Sequence, residues 1–173
     1  MGLKLSLLKC PDCGKSLTAE NNDRVIYCSV CSKGFEYYNN TFTLLKITET
    51  VYDIRAERKP FWNYKIKALY SKMGFFGDKP MAEEIEIFVP AYEKNLTDTV
   101  RLAQRLSFHH NDFILNNCSK IVQPGISSKE GEKICEYVFF NRIGSNKNAQ
   151  ELNKIDFSIE FIEHSLSVIS IKD

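Results

Sequence analysis

The stretch that decides the fold of the N-terminal part of this chain is KCPDCGKSLTAENNDRVIYCSVCSKGF, residues 9–35. It holds two cysteine pairs, each with two residues between its cysteines, so one tight turn can aim both sulfur atoms at the same point. Fourteen residues separate the pairs, which is enough for a hairpin with a polar turn at 21–23. The pattern predicts one structural Zn²⁺ ion with four thiolate ligands: Cys10, Cys13, Cys28 and Cys31.

Free thiols or disulfides are the alternative for these cysteines. The opening residues MGLKLSLLK lack the long apolar stretch of a secretion signal, so we expect a cytoplasmic protein in a reducing compartment, where metal binding is favoured over disulfides. Four cysteines close the coordination shell, which argues against a catalytic zinc ion. Gly14 and Gly34 follow the two pairs, where we expect the turns to need positive φ.

The residue composition divides the chain into three parts. Residues 1–45 have few apolar side chains and are expected to form a zinc ribbon whose folding energy comes from the metal. Residues 46–60 are charged, lack glycine and end at Pro60, so we interpret them as a linker. Residues 61–173 carry most of the aromatic residues and are expected to form an α+β domain: an antiparallel sheet of about four strands with two helices.

Alternating apolar and polar residues predict a pair of strands in that domain. Residues 62–70 alternate, although part of their spacing also fits a helix, and residues 84–89 alternate as well. Antiparallel pairing would bring two lysines close to two glutamates: Lys65 and Lys67 to Glu84 and Glu86. The glycines and prolines of residues 71–82 predict a long connection between the strands.

Helical spacing and a capping pattern predict the two helices. Apolar residues follow a helical period over 91–107, and Ser127 with Glu130 forms a capping box at the start of a second helix. That second helix would bury Ile134, Cys135, Val138 and Phe139. Residues 157–161 alternate again, and we expect the segment EHS at 163–165 to turn before a last apolar strand.

The two segments that contain the cysteine pairs resemble parts of known zinc-binding proteins. LLKCPDCGKSL, residues 7–17, with YCSVCSKGFEYYNNTFTLL, residues 27–45, resembles the zinc ribbon at the N terminus of many class I methyltransferases, and is similar to the small adaptor proteins that bind and stabilise such enzymes. The resemblance implies a structural zinc ion and a protein partner. Residues 46–173 have no glycine-rich loop such as G-x-G-x-G and are too few for a catalytic methyltransferase domain. PFW at 60–62 and FVPAY at 88–92 are similar to segments of uncharacterised bacterial proteins that join a zinc ribbon to an α+β domain.

The leading hypothesis is a non-enzymatic adaptor or accessory protein that acts through a protein partner or through self-association. Its ribbon carries more large aromatic side chains than so small a unit can enclose. We therefore expect these residues to be buried at a domain or subunit interface and to form the partner site: Phe35, Tyr37, Tyr38 and Phe42.

Two other functions stay open as alternatives. Basic residues interleave with aromatic ones over 55–67, a pattern that can bind single-stranded nucleic acid; however, the net charge of +1 becomes −1 when four thiolates and one Zn²⁺ add −2, which weakens this hypothesis. An enzyme could use His109, His110 and Asp112, although histidines also suit a helix end. Cys118 and Cys135 are expected as buried thiols, with the sole tryptophan, Trp62, in the core. No apolar run approaches the ~18 residues that a membrane span needs.

Overall fold

The computed structural model describes residues 8–19, 23–39, 41–51, 56–74, 77–92, 95–109, 116–117, 121–145 and 155–171. These residues form a two-stranded, a three-stranded and a five-stranded sheet together with two helices. The predicted α+β class is therefore confirmed.

The first five strands belong to the cysteine-containing segment. Strand β1 (Leu8–Lys9) pairs antiparallel with β2 (Ser16–Leu17). Strands β3 (Val25–Cys28), β4 (Lys33–Tyr38) and β5 (Thr41–Leu45) form an antiparallel sheet with β4 in the middle. Short strands joined by tight turns are what the two cysteine pairs predicted. We call β1–β5 the ribbon and the rest of the described fold the body.

The five-stranded sheet of the body has the order β8-β7-β10-β6-β9. Its members are β6 (Ile47–Val51), β7 (Arg58–Gly74), β8 (Gly77–Pro90), β9 (Asn116–Asn117) and β10 (Phe157–Ser170). The pairing is antiparallel except between β6 and β10, which run parallel. The described residues thus form five strands in this sheet where about four were predicted, and one of the pairs is parallel rather than antiparallel.

The predicted pairing of the two alternating segments is confirmed. In the β7–β8 register Lys65 lies opposite Glu86 and Lys67 opposite Glu84, and Lys65 Nζ is 3.8 Å from a carboxylate oxygen of Glu84. Trp62 is fully buried on the other face of β7. Residues 62–70 are therefore strand rather than helix, because their period of two separates a charged face from an apolar one.

Two expected connections are instead strand. The long connection predicted over 71–82 is wrong, because β7 and β8 stay paired until Gly74 meets Gly77; Pro80 is accommodated because β8 is an edge strand, where a missing N–H can be tolerated. Within the expected linker 46–60, residues 47–51 form β6 and β7 begins at residue 58. The β-branched residues of Ile-Thr-Glu-Thr-Val favour a strand despite the neighbouring charges.

Both helices are present, with one shifted start. Helix α1 (Leu96–His109) begins five residues later than the predicted residue 91, because the side chain of Asn95 caps it by accepting a hydrogen bond from the N–H of Asp98 at 2.9 Å. Helix α2 (Ser128–Gly144) begins after Ser127, whose capping box with Glu130 is complete as predicted. Of the predicted apolar face, Cys135, Val138 and Phe139 are buried, and Ile134 is partly buried against the same core.

The turn predicted at 163–165 is wrong, because β10 continues through it with a bulge between Phe161 and Glu163. Phe161 lies opposite Ile66 and His164 lies opposite Tyr64, so both side chains lie on the face of the sheet that carries the core. One of these positions is odd and the other even, so in a regular strand their side chains would lie on opposite faces. The extra residue of the bulge brings both onto the same face. The change of parity therefore marks a bulge rather than a turn.

Candidate metal centre

The four predicted ligands lie together at one end of the ribbon. Their sulfur atoms are all within 4.8 Å of one another, and the Cys10–Cys31 and Cys13–Cys28 pairs are each 3.6 Å apart. Four thiolates at the usual Zn–S distance would stand about 3.8 Å apart on the edges of a tetrahedron. The separations are far longer than an S–S bond, and the cysteines are free thiols. The cluster could hold one metal ion.

Each cysteine pair sits on a tight turn closed by a backbone hydrogen bond. The N–H of Gly14 donates to the carbonyl of Cys10 at 2.9 Å, and the N–H of Ser32 donates to that of Cys28 at 2.8 Å. Gly14 has φ +70° as predicted, but the matching residue of the second turn is Ser32, with φ +56°. The expectation of positive φ at Gly34 is therefore wrong, and that glycine has a different role.

The electrostatics of the turns favour thiolate at one cysteine and oppose it at another. Hydrogen bonds from the backbone N–H groups of Cys31 and Val30 lower the pKa of Cys28 to about 6, against the effect of burial. Burial raises the pKa of Cys31 to about 12. Four thiolates at such short separations need a compensating cation, and a divalent metal ion supplies that charge.

Few apolar side chains support the cysteines. Leu17, Ile26 and Phe35 are buried beside Cys10 and Cys28 in a small cluster inside the ribbon. A metal ion bound by the four cysteines would stabilise a unit with so small an interior.

The opposite face of the three-stranded sheet packs on the body. Val25 and Leu45 are buried in the main core cluster together with Trp62. Gly34 lies so close to the body that a Cβ atom there would approach the Cδ1 of Ile47 to 2.1 Å. This close approach, rather than backbone conformation, is what requires a glycine at 34.

A buried carboxylate joins the ribbon to helix α2. Glu36 on β4 accepts hydrogen bonds from the backbone N–H of Ser128 at 3.1 Å and from its hydroxyl at 2.8 Å, and lies 3.3 Å from the Nε2 of His164. Burial raises the pKa of Glu36, but the hydrogen bonds from His164 and Ser128 outweigh it and hold that pKa below its ordinary value. A carboxylate at a helix N-terminus is also favoured by the helix dipole.

A glutamine holds the outer edge of the ribbon sheet. The side chain of Gln123 donates to the carbonyl of Val25 at 2.7 Å and accepts from its N–H at 3.3 Å. Sequence reasoning missed both Glu36 and Gln123, because their partners are 92 to 128 and 98 positions away along the chain. The sequence marked them only as a glutamate between two aromatic residues and as a glutamine ahead of a helix.

The four aromatic residues expected at the partner site do not share one environment. Phe35 is buried inside the ribbon, whereas Tyr37 and Tyr38 are 36% and 48% exposed. Phe42 is half-buried, with its ring centroid 5.0 Å from that of Tyr37 and 6.2 Å from that of Phe35. Alternation along β4 and β5 places Phe35, Tyr37 and Phe42 on the face that carries the cysteines and Tyr38 on the other face.

The residues of the alternative hypotheses have different outcomes. His110, Asp112 and Cys118 lie outside the described residues, as does the side chain of His109. Cys135 is a buried thiol, as predicted, and burial raises its pKa. The aromatic rings within the basic stretch 55–67 are fully buried and in this fold cannot stack on bases: Phe61, Trp62 and Tyr64.

Comparison with known proteins does not assign this chain to a family. No family model, curated protein or solved structure matches this chain. The resemblance to methyltransferase zinc ribbons and their adaptors therefore stays a prediction. Among the described residues, no helix is both long enough and apolar enough to cross a membrane.

Proposed function

We propose that the protein binds one structural Zn²⁺ ion through its four clustered cysteines and acts as a non-enzymatic adaptor, with the ribbon presenting a surface to a protein partner. The sulfur geometry supports zinc, because four thiolates in a small tetrahedral cage are typical of structural zinc sites. The function would lie in the surface that the metal stabilises.

The observation that best supports a protein-binding role is an exposed apolar patch on the cysteine-bearing face of the ribbon. Leu44 is 64% exposed, Tyr37 is 36% exposed, and half-buried Phe42 lies between Tyr37 and the buried Phe35. Register places Leu44 opposite Phe35 and Phe42 opposite Tyr37, so these side chains form one continuous patch. Clustered exposed apolar side chains on a polar surface are characteristic of protein interaction sites.

The first test measures the metal. Freshly purified protein should contain one equivalent of zinc, and the Cys28→Ser variant should contain much less. A protein that folds without metal, or that binds the ion equally well after this substitution, would contradict the structural role.

The second test measures partner capture. Tagged wild-type protein and the Leu44→Asp variant are compared by affinity capture from the source cells with quantitative mass spectrometry. Leu69→Asp is the matched control, because Leu69 is 48% exposed on the body strand β7. We expect specific proteins to be lost with Leu44→Asp and kept with Leu69→Asp. An identical capture profile for all three proteins would argue against a partner site on the ribbon.

A further inference from the structure

Side-chain hydrogen bonds protect two of the strand edges in this fold. The outer edge of β3 is bonded by the amide of Gln123, which occupies both the N–H and the carbonyl of Val25. The outer edge of β8 is covered by α1, where the hydroxyl of Ser107 accepts a hydrogen bond from the N–H of Phe88 at 2.9 Å. Such protection is how proteins keep sheet edges from pairing with other chains.

Among the residues that the structure describes, none protects the outer edge of β5 in this way. The N–H of Tyr37 donates to the carbonyl of Arg24, on the β3 side of the central strand. By alternation, the backbone groups of Gly34, Glu36 and Tyr38 then bond toward β5. Their partners there are Leu45, Thr43 and Thr41, respectively. The N–H and carbonyl groups of Phe42 and Leu44 therefore point outward. In the part of the chain that the structure describes, nothing bonds to them.

The sequence of β5 also lacks the usual deterrents to edge pairing. Thr41–Leu45 reads TFTLL, with no charge, proline or glycine, and β-branched or apolar side chains throughout. Its pairing with β4 has no bulge. An unpaired, uncharged edge of this kind recognises an extended backbone, by adding a strand to the sheet.

We infer that two copies of this chain associate by pairing β5 with β5 antiparallel about a two-fold axis at Thr43. This inference rests on the proposed protein-binding role of the ribbon and names the bound protein as a second copy. Around that axis Phe42 of each copy faces Leu44 of the other, and the outward backbone groups form four hydrogen bonds. The strand is its own complement in hydrogen bonding and in side-chain pattern.

The side chains agree with this symmetry. A two-fold axis perpendicular to the sheet keeps equivalent faces on the same side, so Phe42 and Leu44 of both copies join one apolar patch. The two Thr43 side chains meet on the other face, and no charged residue lies at a facing position. Four backbone hydrogen bonds and a small apolar contact predict a weak dimer whose population depends on concentration.

Sedimentation velocity of the zinc-loaded full chain over a concentration series tests the inference. Wild-type protein should convert from monomer to dimer with rising concentration. Thr43→Lys places two ammonium groups across the axis, with their Cβ atoms about 5 Å apart, and should weaken the dimer about tenfold or more. In the monomer the same lysine lies opposite Glu36, so folding is preserved. Thr18→Lys, an exposed ribbon position outside β3–β5, is the matched control and should leave the dimer unchanged.

A second variant tests the register directly. Thr43→Cys should form a disulfide-linked dimer under mild oxidation, and Thr18→Cys should not. A wild-type chain that stays monomeric at its solubility limit would overturn the inference. So would a dimer that Thr43→Lys leaves intact. If the chain is monomeric but Leu44→Asp still abolishes partner capture, the partner is not a second copy of this chain, while the proposed protein-binding function stands.

Discussion

Removal of the Glu36 carboxylate should uncouple the ribbon from the body. Glu36→Ala deletes the acceptor of two hydrogen bonds from Ser128 and the partner of His164, and leaves the N–H of Ser128 buried without an acceptor. Hydrogen bonds to a charged group contribute about 1.5–3 kcal/mol each, and Glu36 accepts two of them from Ser128. We therefore expect a loss of about 3 kcal/mol in the free energy of unfolding.

Urea unfolding followed by tryptophan fluorescence measures this loss. Trp62 is the only tryptophan, is fully buried, and lies in edge-to-face contact with His164, so its emission reports on this part of the core. Glu36→Gln keeps an acceptor oxygen for Ser128 and should cost about half as much as Glu36→Ala. A loss of less than about 0.5 kcal/mol in the unfolding free energy of zinc-loaded Glu36→Ala, the scale of an ordinary surface substitution, would show that Glu36 does not couple the ribbon to the body.

The packing of α2, the charge of Glu36 and the cysteine cluster can each be tested separately. Gly131→Ala should destabilise the protein although it raises helix propensity by about 1 kcal/mol, because the added Cβ would lie 2.1 Å from the hydroxyl of Tyr64; a higher melting temperature would contradict this packing. Because folding lowers the pKa of Glu36, the carboxylate stabilises the fold above its ordinary pKa of 4.5, and this stabilisation is lost as pH falls below that value. Below that pH the unfolding free energy of wild type should therefore fall more steeply with decreasing pH than that of Glu36→Gln, whereas loss of zinc affects both proteins alike. Cys28→Ser should expose β3–β5 to hydrogen exchange and also lower the melting temperature of the body, because Val25 leaves the main core; Cys135→Ala should keep both zinc and ribbon protection.

The local patterns of this sequence predicted much of the fold. The spacing of the cysteines placed four sulfur atoms together, and Ser127 with Glu130 marked the start of α2, because each pattern acts over a few residues. The alternation of residues 62–70 and 84–89 identified both the pairing and the charged face that Lys65 shares with Glu86. These features follow from period and spacing alone.

The features that the sequence did not reveal depend on distant contacts. The parity change between Phe161 and His164 fits a turn as well as a bulge, and the choice is made by continuous pairing with β7. The strand character of 47–51 is decided by its parallel partner β10, more than a hundred residues away. The role of Glu36 became visible only where β4 meets the N-terminus of α2. Packing decides the bulge and the role of Glu36, whereas in β6 the pairing with β10 acts together with the strand propensity of the β-branched residues.

X-ray absorption at the zinc K-edge of freshly purified protein shows directly whether the four cysteines bind zinc. We expect one zinc ion per chain with four sulfur neighbours at about 2.3 Å and no nitrogen or oxygen neighbour in the shell. Substoichiometric zinc, a disulfide between the cysteines, or a shell that contains nitrogen or oxygen ligands would contradict it.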